Sequence, residues 1–201
     1  SLVALVPAVL AAHLFFQLRV RMNGRAIADR FGVHGGMVVA GCSVVAGLAV
    51  AAFPLAAGNG MEGLRAGSTG ATVSLALALS IGKLVGTTAA LASGAPGGVL
   101  SPSMGIAGGV GLLAVLGARE LGMSVEHPWG AMVACMAIGV AVGLRSPLVA
   151  IVLIPEMLGD YALIPVIALV VGVAVVVDRG LTAAIDRFDA LVPPGVYDED
   201  A

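Results

Sequence analysis

The chain reads as a series of apolar runs cut by short polar or glycine-rich breaks. The first run, Ser1 to Leu18, closes at Arg19, Arg21 and Arg25, and a polar connection leads on to His34-Gly35-Gly36. The next, Met37 to Leu55, carries no charge. At about 1.5 Å per helical residue it nearly matches a hydrocarbon core of about 30 Å. A glycine-rich loop, Phe53 to Gly67, separates it from Ser68 to Leu91, whose single charge is Lys83. After a second break come Ser103 to Ala118, Trp129 to Leu144, Leu148 to Ile154 and Tyr161 to Val177. Asp178-Arg179-Gly180 is expected to end the last of these and to leave Leu181 to Leu191 as a short amphipathic segment.

Continuous apolar runs predict helices, whereas strands of a membrane barrel would alternate apolar and polar residues. Several runs are too short to cross alone. The sixteen residues from Ser103 to Ala118 reach only about 24 Å as a helix. Half-spanning backbone is tolerated at membrane depth only where protein or a watery cavity surrounds it. Channels and secondary transporters show this pattern; simple receptors and anchors show long uninterrupted spans.

Composition strengthens that reading. The chain is 59% hydrophobic and 11% charged, against about 25% charge in a globular domain. A mean hydropathy of +1.07 favours a polytopic all-α membrane protein over the alternative, a very apolar soluble bundle. The net charge of -2 argues against a nucleic-acid partner. Cys42 and Cys135 lie in apolar runs and read as free buried thiols. His34 and His127 read as loop residues and His13 as a helical residue near an interface; none has metal-ligand spacing, and no cofactor is expected. The sequence starts at Ser1 without Met and without a convincing signal peptide, so part of the protein is expected to lie upstream.

The second break, GAPGGVLSP (Gly94 to Pro102), carries the chemistry. Pro96 and the glycines stop the preceding helix, and Pro102 suits the first turn of a new one. Ser101 is the expected N-cap, and the helix should start between Leu100 and Ser103. A helix N-terminus offers unpaired N–H groups and about half a positive charge. Held inside the membrane, these call for an anion or another acceptor. Gly97 and Gly98 would let a small ion approach the backbone. No lysine or arginine occurs in Gly94 to Ala118, so an ion here would be held by peptide dipoles. The alternative is an ordinary loop-to-helix junction, satisfied internally. Most other glycines, including GIAGG (Gly105 to Gly109), fit close helix packing.

GAPGGVLSP followed by a glycine-rich apolar helix resembles the CLC family of chloride channels and chloride/proton antiporters. Gly98-Val99-Leu100-Ser101-Pro102 matches the family's G-x-F-x-P at its glycine and its proline. SGAPGG is similar to bacterial members. FPLAAGNG resembles the glycine-rich loop early in the family's second half, LRSPLVAIVLIPEM (Leu144 to Met157) its R-x-P-L…E-M segment, and RGLTAAI (Arg179 to Ile185) the start of its last helix. The resemblance implies an inverted-repeat membrane homodimer with one anion pore per subunit, multi-pass in a cell membrane, as in a bacterial inner membrane. It makes residues 1–23 the last helix of the first half, 24–34 the connection, 35–191 the second half and 192–201 an acidic tail.

Gly98 and the backbone N–H groups of Val99 and Leu100 would hold chloride, and protons could be co-transported. The family's central tyrosine, whose hydroxyl touches the anion, falls on Thr182, which the resemblance makes the fourth anion-binding residue; its shorter hydroxyl implies a wider inner passage and weak proton coupling. The family's signature Phe is Leu100. The first-half motifs G-S-G-I-P and G-R-E-G-P are absent, so the gating and proton-transfer glutamates would lie in an upstream partner segment. The reading is a permease rather than an enzyme. A fluoride-exporting relative and a non-transporting scaffold or half-transporter are its alternatives. Glu156 reads as structural, with Arg145 a partner, and Lys83 as a residue that either draws anions in or snorkels to an interface. The arginines from Arg19 to Arg30 place their loop in the cytoplasm by the positive-inside rule, but outside by the resemblance.

Overall fold

The computed structural model describes residues 2–21, 32, 34–58, 61–95 and 97–191. The expected connection 24–34 and the tail 192–201 fall almost wholly outside them. Among the described residues the architecture is all-α, with no strand. The helices are α1 (Leu2–Arg21), α2 (Gly35–Ala52), α3 (Met61–Thr69), α4 (Val73–Ala92), α5 (Leu100–Glu120), α6 (Pro128–Gly143), α7 (Pro147–Leu158) and α8 (Ile164–Leu191). Among these, α1, α2, α4, α5 and α8 are long and apolar enough to cross a membrane; α6 and α7 are shorter apolar helices.

The core is built around α5 and α6. Both are buried along most of their length, and α1, α7 and α8 pack around them. Small residues allow the close approach. A Cβ on Gly109 would stand 2.6 Å from the Ser80 nitrogen and 2.8 Å from the Ala76 oxygen. A Cβ on Gly139 would overlap the Ser103 carbonyl. Only glycine lets α5 lie directly on the α4 backbone and α6 directly on α5, which is how helices associate where lipid gives no hydrophobic drive. α1 buries Ala4, Ala8, Ala12 and Phe15 and exposes Val6, Leu10 and Leu14. That is one helical face inward and one outward.

Each helix boundary has a local cause. Thr72 caps α4, its hydroxyl accepting from the Leu75 N–H at 3.2 Å. Proline opens α6 and α7, and Gly159, at φ 66°, closes α7. Within α4 a π-helical turn spans Ala78–Gly82, immediately before Lys83.

Three sequence expectations are corrected. The run from Ser103 to Ala118, expected to be too short to cross alone, lies within the 21-residue α5, which is long and apolar enough to span. The expected loop from Phe53 to Gly67 contains a 3₁₀ turn (Pro54–Ala56) and most of α3. The expected break at Asp178-Arg179-Gly180 does not occur, and α8 runs on for 28 residues. One glycine weakens a helix by only about 1 kcal/mol. Asp178 is also the fourth member of the buried stripe Ile167, Val171, Ala174, Asp178. There its carboxylate meets His13 at 2.7 Å, so the charge is accommodated without unwinding the helix.

Candidate anion site

The site is the junction between α4 and α5. α4 ends in a Schellman arrangement: Gly94 takes φ 81°, its N–H donates to the Leu91 oxygen, and the Ala95 N–H donates to the Ala90 oxygen. The Ala90 and Leu91 carbonyls are therefore satisfied before the chain turns. α5 starts at Leu100 with Val99 as its N-cap, and no side chain caps it. The Ser103 N–H and Oγ both donate to the Val99 oxygen, at 3.1 and 2.7 Å. The N–H groups of Leu100 and Ser101 have no acceptor within a helix, because they occupy its first turn. Pro102 brings no N–H at all. Ser101, the expected N-cap, sits instead inside the helix, and its Oγ is buried without a hydrogen-bond partner. The cap falls two residues early because Val99 already has helical backbone angles, φ −97° and ψ −6°.

Gly97 and Gly98 line a cavity of about 280 Å³ together with Pro102, Lys83, Gly86 and Val50. A Cβ built on either Gly97 or Gly98 would meet nothing within 4 Å. The backbone here borders open space, as a path for a small ion requires.

Lys83 departs from the snorkelling reading. It is 3% exposed, and its Nζ donates to the Ala56 and Gly58 oxygens, each at 3.1 Å. Its ammonium does not snorkel to an interface. The absence of basic residues from Gly94 to Ala118 therefore does not leave the cavity without a cation in its wall. The signal was present in the sequence, as the single charge in the apolar run preceding the break. Lys83 directly follows the π-helical segment, which no periodicity reveals.

Gly98, Val99 and Leu100 are thus together at one helix start. Thr182 is not in the lining of this cavity. It lies one turn beyond Asp178 on α8, and its Oγ1 donates to the Asp178 oxygen at 3.0 Å. Glu156 is held by the Tyr161 hydroxyl at 2.6 Å rather than by Arg145. Arg145, at φ 54°, instead lays its guanidinium 4.4 Å above the Phe16 ring. His13, expected near an interface, is buried against Asp178.

Broken apolar helices around a mid-chain helix start, with glycine backbone facing a cavity, define a polytopic membrane protein of the transport class. The profile of the voltage gated chloride channel family matches residues 2–179, most of the chain, and the protein belongs to that family. No curated protein and no solved structure matches it. Membership brings a membrane setting and chloride transport; family members are transporters or channels, not enzymes.

Proposed function

We propose that this chain forms the second repeat half of a CLC-type pore and binds chloride at the start of α5. In this reading the Val99 and Leu100 N–H groups coordinate the ion, and Gly98 leaves it room to approach. The observation that carries the reading is the state of α5's first turn. Its N–H groups have no intrahelical acceptor, and the buried Ser101 Oγ beside them has no partner. Their chain neighbours Gly97, Gly98 and Pro102 line a cavity that has Lys83 in its wall. A halide supplies the missing acceptor, and dipoles bind it without the deep trap of a close ion pair.

Chloride passes with weak or no proton coupling in this proposal. Thr182 lies outside the cavity lining, and its hydroxyl already donates to the Asp178 carbonyl. The working protein is a homodimer in the cell membrane, bacterial in type, with an upstream half completing each pore.

The test is flux from liposomes holding the full-length protein. Chloride should leave down its gradient while an imposed proton gradient changes little. Fluoride flux that exceeds chloride flux, or chloride movement strictly tied to protons, would contradict the proposal. No anion flux at all would leave a scaffold as the better reading.

A further inference from the structure

Among the described residues, a buried polar contact that the chloride site does not use joins α1 to α8. His13 Nδ1 lies 2.7 Å from Asp178 Oδ1, and both residues are 6% exposed. Their positions are 165 apart in sequence. His13 is seven residues inside the Val20 end of its span, a depth of about 10 Å along the helix. On the other side of the ring, Gln17 Nε2 lies 3.4 Å from His13 Nε2. An ionisable pair at this depth is expensive, so it points to a role.

We propose that Gln17, His13 and Asp178 form a proton-binding site within the membrane. The geometry fixes the chemistry at each ring nitrogen. Nδ1 faces a carboxylate and so carries its hydrogen, donating to Asp178. Nε2 then holds the lone pair, which accepts from the Gln17 amide. A proton arriving at Nε2 converts the ring to imidazolium and the pair from a net charge of −1 to zero. Nε2–H then donates, and the Gln17 amide turns to offer its oxygen. Gln17 is partly exposed and lies one turn nearer the Arg19 end of α1, which makes it the entry side.

Most of the other charged and titratable groups on the packed elements have contacts of their own. Cys135 on α6 packs beside Ala4, two turns away on α1. Arg119 on α5 is bound to the Val125 carbonyl, and Glu120 follows it at the same end. Lys83 on α4 is held by two carbonyls. Arg145 and Arg19 both lie over the Phe16 ring. Arg179 on α8 is exposed, and Asp186 and Arg187 lie two turns farther along it.

The experiment is nitrogen-15 NMR of the imidazoles in the full-length protein in micelles, with His34 and His127 replaced by Gln to simplify the spectrum. The pH is lowered from 8 to 4. The expected result is a neutral ring with hydrogen on Nδ1 that takes up a proton at Nε2. Asp178→Asn should move the neutral ring toward the Nε2–H form. Should that variant fail to fold, Gln17→Leu keeps the His13–Asp178 hydrogen bond but should leave Nε2 more accessible to solvent exchange. A wild-type ring with hydrogen on Nε2 at pH 8, or one that gains no proton across the range, would overturn the proposal. The readout does not involve chloride, so it stands or falls separately from the transport reading.

Discussion

At the scale of single residues, two positions carry the chloride reading and one has moved away from it. A side chain at Gly98 would project into the cavity without striking protein, since nothing lies within 4 Å of its Cβ. Gly98→Val should therefore leave the melting temperature within a few degrees of wild type and weaken chloride binding at least about tenfold, or about 1.4 kcal/mol. Calorimetry on the purified protein checks both numbers together. Ser101→Ala removes a buried hydroxyl that has no partner in the protein. An unsatisfied polar group is destabilising by about 1–3 kcal/mol. Without chloride the variant should be as stable as wild type or more so, and with chloride it should gain less than wild type does. Thr182→Ala should change chloride affinity less than twofold, because its hydroxyl is already bonded within α8.

At the scale of elements, the α4–α5 junction was the most legible feature, because every signal for it is local. Glycine at a left-handed position ends one helix, and proline just inside the first turn starts the next. What local reasoning misplaced was the cap. Serine is a good N-cap in isolation, but here the bend into helical geometry comes two residues sooner, at Val99. The opposite error occurred in α8. Asp178, Arg179 and Gly180 look like a break until the partner of Asp178 is known, and that partner lies 165 positions earlier. The stripe Ile167, Val171, Ala174, Asp178 was present in the sequence, but a carboxylate in a buried stripe becomes intelligible only with His13 beside it. The small residues of α5 and α6 were legible as packing glycines, though not which carbonyl each would meet. Gly139 is the tightest, set against the Ser103 backbone one turn from the candidate site. Gly139→Ala should destabilise the protein by about 1–3 kcal/mol and also disturb chloride binding, because α5 must shift to admit the methyl group. Thermal unfolding followed by circular dichroism measures the first effect.

At the scale of the whole molecule, α5 and α6 form a packed centre to which the first and last helices are tied. The composition made the membrane class plain. The place of α1 against α5 and α6 could not be read, because those helices lie about a hundred residues farther along the chain. The His13–Asp178 contact should be worth more than its size suggests. A buried hydrogen bond to a charged group is worth about 1.5–3 kcal/mol. Asp178→Asn and His13→Gln should each lower stability strongly, and the double variant should lose much less than the sum, as a double-mutant cycle of thermal melts would show.

The central claim is that peptide N–H groups at the start of α5 hold chloride. A chloride titration of the amide-labelled full-length protein, followed by proton–nitrogen NMR, tests it most directly. The Val99, Leu100 and Ser101 amide signals should shift together and saturate at one common chloride concentration. If those signals stay fixed while chloride is shown to bind elsewhere, the ion is not held by this backbone and the account is wrong.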